Sequence, residues 1–272
     1  MWLDTPQRDA KPRSRGWTVV LDPGVPLKYF QDVIACYAPL IDLVKFGWGT
    51  ALVVPQLEAK IACLNEHAVD FVFGGTLFEA FHQAGRLDRF FDWCRRYACR
   101  YVEISDGTVP LPPSVKLGLI GRFAREFTVL SEVGDKDAER SARRTPEDWV
   151  RAIRAERAAG AAKVITEARE SGTSGLCRPD GQVRTAIVDA IVEAAIDPGD
   201  LIFEAPTKGL QVFFLRRFGP HVNLGNIPLA DIVSVETLRL GLRSDTLTLF
   251  GAGGTTGLVP EARDPVSGLP PH

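Results

Sequence analysis

Eight short runs of β-branched and aromatic residues, recurring every few tens of residues, constrain this chain more than any other feature. They are TVVLD (18–22), DLVKFG (42–47), DFVFGG (70–75), YVEIS (101–105), TVLSEV (128–133), KVITEA (163–168), LIFEA (201–205) and HVNLG (221–225). Such spacing leaves room for a crossover helix between successive runs, which parallel strands require. The intervening segments carry helix punctuation. Thr145-Pro146-Glu147-Asp148 reads as an N-cap, a proline at the first helical position and acids in the first turn, with a stop near Gly160. Leu27 to Ala38, Pro55 to Glu66 and Leu229 to Leu242 have amphipathic texture. Eight alternating pairs predict an α/β fold, a single (β/α)8 TIM-type barrel over residues 17–250. The rival, a doubly wound sheet, loses ground because no Gly-x-Gly-x-x-Gly follows the first run. Residues 1–16 and 251–272 are poor in apolar side chains and are expected to be flexible.

Composition narrows the partners. Thirty-two Lys and Arg against 34 Asp and Glu give a formal charge of −2, so the chain is no polycation and nucleic acid is not an expected partner. Five cysteines without a CxxC pair argue for reduced thiols rather than a disulfide framework or zinc knuckle. No apolar run reaches the ~18 residues that span a bilayer, and the polar, basic amino terminus has no signal-peptide core. A cytoplasmic protein is expected, with apolar residues on the helices suited to a homo-oligomer.

Chemistry in such a barrel belongs at the carboxyl ends of the strands. Here those ends are polar: Asp22, Lys45, Gly74-Gly75-Thr76, Glu103 with Ser105 and Asp106, Glu132, Glu167 with Arg169 and Glu170, Glu204, and Asn223 with Asn226. Converging carboxylates repel unless a cation sits between them, and hard divalent ions prefer carboxylate oxygens. Glu103 and Glu132 are therefore the leading ligands for Mg2+, with Glu167 next and Asp106 behind them. The four histidines are scattered and offer no zinc cluster. The glycines of 47–49 and 74–75 leave amides that can face an anion. Loops after strands seven and eight are the common phosphate locus, where Asn223, Asn226, Lys208 and Arg243 are candidates; for Arg239 and Arg243 a solvated helix position is the competing reading.

Eight stretches at these strand ends, VKFGWGT (44–50), GGTLFE (74–79), VEISDG (102–107), SEVG (131–134), EARESG (167–172), FEAP (203–206) with Lys208, VNLGNI (222–227) and ETLRLGLRSDT (236–246), occur in the order seen in phosphosulfolactate synthases. The chain resembles that family, the enzymes that begin coenzyme M synthesis. The resemblance implies a (β/α)8 barrel and a magnesium-dependent addition of sulfite to phosphoenolpyruvate. Attack on the terminal carbon leaves a carbanion beside a carboxylate, whose charge a metal bridging that carboxylate would stabilise. On this reading Glu103 and Glu132 hold the ion, Lys45 and Arg169 hold the substrate carboxylate and phosphate, and Lys45 or Lys208 returns a proton. Asp22, Gly75, Thr76, Glu204, Asn223, Asn226 and Arg243 complete the expected substrate contacts.

Two positions depart from the family pattern. Pro23 and Asp135 stand where the family carries lysine, in Asp22-Pro23-Gly24 and Glu132-Val133-Gly134-Asp135-Lys136. An acid in place of a cation would repel sulfite, so an acceptor other than sulfite is expected, with Asp135 as a base for a hydroxyl group. The alternatives are unchanged sulfite chemistry, with Lys136 standing in for the missing neighbour, and a non-catalytic relative of the kind associated with heat stress in plants. A metal-dependent aldolase on sugar phosphates is a further possibility.

Overall fold

The structure, a computed structural model, describes residues 3–249; the expected tail at 251–272 lies outside the described residues. Its strands are β1 (Thr18–Asp22), β2 (Leu43–Phe46), β3 (Asp70–Phe73), β4 (Tyr101–Ile104), β5 (Thr128–Val133), β6 (Lys163–Thr166), β7 (Leu201–Glu204) and β8 (Leu224–Pro228). All pairings are parallel, in the order β3-β2-β1-β8-β7-β6-β5-β4. β3 and β4 lie side by side without a hydrogen-bonded ladder, so the barrel is nearly closed.

The helices around it are α1 (Leu27–Tyr37), α2 (Leu57–Glu66), α3 (Gly75–Gln83), α4 (Leu87–Arg96), α5 (Pro113–Phe123), α6 (Ala138–Arg143), α7 (Pro146–Ala158), α8 (Thr185–Glu193), α9 (Lys208–Phe218) and α10 (Ile232–Arg239). α7 starts where its punctuation predicts: the Thr145 hydroxyl accepts from the Asp148 amide and the Asp148 carboxylate accepts from the Thr145 amide. Outward strand residues such as Val44, Phe46, Phe73, Val102, Val164 and Phe203 bury themselves under these helices.

The inward face is organised by the two-residue period of a strand. Leu43, Tyr101, Leu130, Ile165 and Ile202 meet inside the barrel as an apolar floor. Two residues further along the same strands or just beyond them stand Lys45, Glu103, Glu132, Glu167 and Glu204, all buried. One apolar layer thus carries one ionisable layer.

Two sequence expectations need correction here. β8 begins three residues later than the run 221–225, because Leu224 rather than His221 pairs with Thr18 at the start of β1. The later start leaves Asn223 just before β8, at the amino-terminal end of the barrel. Residues 3–16, unpromising as core, nevertheless pack against that same end: Arg13 is buried and pairs with Asp42, and Arg8 pairs with Glu236. The five cysteines are free, Cys36 exposed and the others buried. No described helix is long and apolar enough to cross a membrane.

Candidate active site

Lys45 reaches the barrel axis from β2 and stands among three carboxylates, 3.0 Å from Glu103, 3.3 Å from Glu204 and 3.8 Å from Glu132. A second ammonium enters from above. Lys136, in the loop after β5, lies 3.3 Å from Glu132, 3.5 Å from Glu167 and 3.7 Å from Glu79, and its Nζ donates to the Thr76 hydroxyl at 3.4 Å. Backbone amides hold the acids in place. Gly75 N donates to Glu103 Oε1 at 2.7 Å, Ala168 N and Arg169 N donate to Glu204 Oε2 at 2.8 and 3.1 Å, and Arg169 N donates to Glu167 Oε1 at 2.6 Å. A Cβ on Gly75 would stand 2.5 Å from Ser105 Cβ and 2.8 Å from Glu103 Oε1, so only glycine lets this helix start approach the carboxylate.

Five buried carboxylates (Glu79, Glu103, Glu132, Glu167 and Glu204) face two ammonium groups. The cluster carries three negative charges in excess if all are ionised. Burial alone would lower Lys45 and Lys136, but the surrounding glutamates outweigh it and hold both above the ordinary lysine value. Burial likewise opposes the charge on Glu132, yet Lys136 and Lys45 hold it below the usual carboxylate range. Glu103 shares its one lysine with other acids; burial, opposed by Lys45 and reinforced by Glu132, pushes it up to about 7. Burial, Glu132 and Glu204 raise Glu167 well above its ordinary value. Two cations thus stay charged while the acids compete for them. Among the described residues, the buried Oε2 atoms of Glu103 and Glu167 accept no hydrogen bond, although the Lys136 ammonium stands 3.5 Å from that of Glu167. Among the described residues, no group of three or more His, Cys, Asp or Glu side chains forms a ready metal cage; the lysines stand between the acids instead.

Of the residues expected from the sequence, Lys45, Gly75, Thr76, Glu103, Glu132, Glu167, Arg169, Glu204 and Asn226 line one cavity. The others lie elsewhere. Asp22 accepts from the Gly24 and Val25 amides and pairs with Lys60 at 2.6 Å, fully buried: it fastens its own loop. Asn223 donates to the Gly199 and Leu201 carbonyls and accepts from Trp17 N at the opposite end of the barrel. Lys208 is half exposed and pairs with Asp245 at 2.7 Å. Arg243 donates to Ser234 Oγ, and Asp106 pairs with Lys116. Asp135 sits 3.2 Å from both Arg140 and Arg144, in a depression apart from the axial cavity.

Sequence reasoning missed Glu79, one turn into α3, which accepts from Ser105 Oγ at 2.7 Å and from the Thr108 and Val109 amides. Its signals were its place as the last residue of the GGTLFE stretch and an acid on an otherwise apolar helix turn, four residues after Gly75. Lys136 entered that reading only as a stand-in; in the fold it is a central cation.

Residues 6–245 match the family model described as (2R)-phospho-3-sulfolactate synthase (ComA). The chain belongs to this family. It is 51% identical over 247 residues to the phosphosulfolactate synthase of Bacillus subtilis (strain 168), covering 91% of this chain and 98% of that one. It is 40% identical over 248 residues to the phosphosulfolactate synthase of Methanothermobacter thermautotrophicus, covering 89% and 95%. Among solved structures, 3-hexulose-6-phosphate synthase from Salmonella typhimurium superposes with a TM-score of 0.52 at 12% identity, over 81% of this chain and 98% of that one. That likeness shows the barrel fold alone.

Proposed function

We propose that this member of the family adds sulfite to phosphoenolpyruvate with the help of magnesium. The observation that carries the reading is the axial cluster, in which Lys45 and Lys136 stand among five buried glutamates at the carboxyl end of the barrel. Its excess negative charge favours a bound cation. The Oε2 atoms of Glu103 and Glu167, which accept no hydrogen bond among the described residues, suit a hard ion, and magnesium uses one or two carboxylates alongside ligand oxygens and water. Glu103 and Glu167 would hold it, while Glu132, engaged by Ser105, Lys136 and Lys45, supports the site. Bound there, the ion supplies positive charge beside the carboxylate on which negative charge develops.

The chain's own residues do the rest. Lys45 and Arg169 hold the substrate's carboxylate and phosphate; among the described residues, the guanidinium of Arg169 has only Glu170 as an ion-pair partner, at 3.7 Å. The sulfur lone pair of sulfite forms a bond to the terminal carbon of phosphoenolpyruvate, and the carbon–carbon π pair moves toward the carboxylated carbon. Lys136 delivers a proton to that carbon from Nζ, a transfer that becomes favourable as negative charge builds there. It takes over the role expected of Lys208, which is tied to Asp245. Two arginines neutralise Asp135 outside the cavity, which removes the electrostatic reason for excluding sulfite. Incubation with sulfite and phosphoenolpyruvate, followed by 31P NMR, tests the reading. We expect a single phosphate-ester adduct with magnesium, its loss on chelation, and none with Lys136→Met. Untouched phosphoenolpyruvate in the magnesium sample refutes it.

A further inference from the structure

The axial cavity leaves only about 30 Å3 free between its side chains, space for a water molecule or two. A second cavity of about 330 Å3 adjoins it and shares Leu21, Trp48, Glu170 and Asn226 with it. The walls of this annex are largely apolar: Pro23, Val25, Tyr29, Pro206, Leu229 and Ala230. At the junction stands Asn226. It is 6% exposed, its φ of 53° lies in the left-handed region, and its side chain has no hydrogen-bond partner for Oδ1 among the described residues. A buried carboxamide left unpaired in a strained backbone position marks a ligand contact better than a structural one.

Apolar walls give the oxygens of a sulfur oxyanion nothing to bind, so the annex suits an apolar substituent carried by the nucleophile. A nucleophile suited to both cavities keeps the sulfur lone pair of sulfite and replaces one oxygen by an apolar group. We propose that this chain also accepts organic sulfinates, R–SO2−, with the apolar R group in the annex and a sulfinate oxygen accepting from Nδ2 of the Asn226 carboxamide. The proposal rests on the sulfite reading above. The sulfinate sulfur forms the new C–S bond to the terminal carbon of phosphoenolpyruvate. The π pair shifts to the carboxylated carbon, Lys136 protonates it, and the product is a phosphorylated 3-sulfonyl-lactate. No phosphate leaves and nothing is oxidised or reduced.

The test gives the full-length protein phosphoenolpyruvate and magnesium with sulfite, methanesulfinate or benzenesulfinate, and counts adducts by 31P NMR and mass. Both sulfinates should be consumed, and benzenesulfinate should show a KM about tenfold below that of methanesulfinate, as burial of a larger apolar group requires. Ala230→Trp, which fills the annex wall, should cancel the advantage of benzenesulfinate while leaving sulfite turnover within about twofold. Benzenesulfinate should also raise the melting temperature of the metal-free wild type, and not that of Ala230→Trp. Sulfite turnover without sulfinate turnover overturns this inference and leaves the sulfite reading standing. Failure with all three nucleophiles removes both. Equal KM values for the two sulfinates, in a wild type that needs no refolding control, refute the annex as the R-group site.

Discussion

The two ends of this barrel both bury charge, and they do so differently. At the amino-terminal end, Asp42 meets Arg13 at 2.8 Å and the Thr18 amide, and Arg239 donates to the carbonyls of Pro220, Val222 and Trp17. Charge there is met by a carboxylate or by backbone carbonyls, although Arg8 Nε and Arg239 Nε have no hydrogen-bond partner among the described residues. At the carboxyl end, five glutamates share two lysines, and two carboxylate oxygens have no hydrogen-bond partner among the described residues. The larger cavity, about 640 Å3, opens at the amino-terminal end, against Lys11, Arg13, Trp17 and Tyr101. Room therefore does not mark the site. An excess of buried carboxylates over cations does, because its cost persists until a ligand or cation arrives.

That contrast can be broken at either end. The largest effect is expected for Lys45→Met, which strands Glu103 and Glu204 without their shared ammonium. A loss of roughly 3–5 kcal/mol in transition-state stabilisation, read as kcat/KM for the sulfite reaction, follows if the pair is as desolvated as its burial indicates. Arg239→Met should act on the other quantity. Leaving three carbonyls unpaired should cost about 2–4 kcal/mol of stability in chemical denaturation, with kcat of the folded enzyme unchanged. A matching fall in kcat would show that the two ends are coupled.

Smaller effects sharpen the comparison. Gly75→Ala forces the new methyl against Ser105 and Glu103, and should reduce kcat/KM by about 1–3 kcal/mol with a smaller change in melting temperature. The Glu103 carboxyl titrates at about 7 in the fold against 4.5 when unperturbed. Between those values the folded chain therefore holds the extra proton, and stability falls as pH rises through that window. Glu103→Gln should flatten the pH dependence of the melting temperature there, in part only because Glu167 is raised as well. The smallest effect belongs to Asp135→Asn. With Arg140 and Arg144 beside it and the axial cavity elsewhere, the change should leave the KM for sulfite within about twofold at low and high salt. A large, salt-sensitive improvement would restore Asp135 to the site.

The strand pattern was legible because a parallel strand buried on both faces must be apolar along its length, and seven of the runs begin within a residue of their strands. Helix starts such as Thr145 were legible because a cap is local chemistry. Glu103, Glu132, Glu167, Glu204 and Lys45 could be read as one set, since a period of two beyond an apolar floor residue leaves them nowhere to point but the axis. Sequence alone thus determined the barrel and the acids of its upper layer. Only the tertiary structure decided which neighbours turn inward. The register of β8 against β1 sent Asn223 to the far end and brought Asn226 to the cavity. The turn after β5 aimed Lys136 at the acids and Asp135 at two arginines one position away. Glu79 came from a helix, where its partners, Ser105 and the loop amides beyond it, are set by packing rather than by spacing. Loop conformation and strand register are long-range outcomes, and no local pattern encodes them.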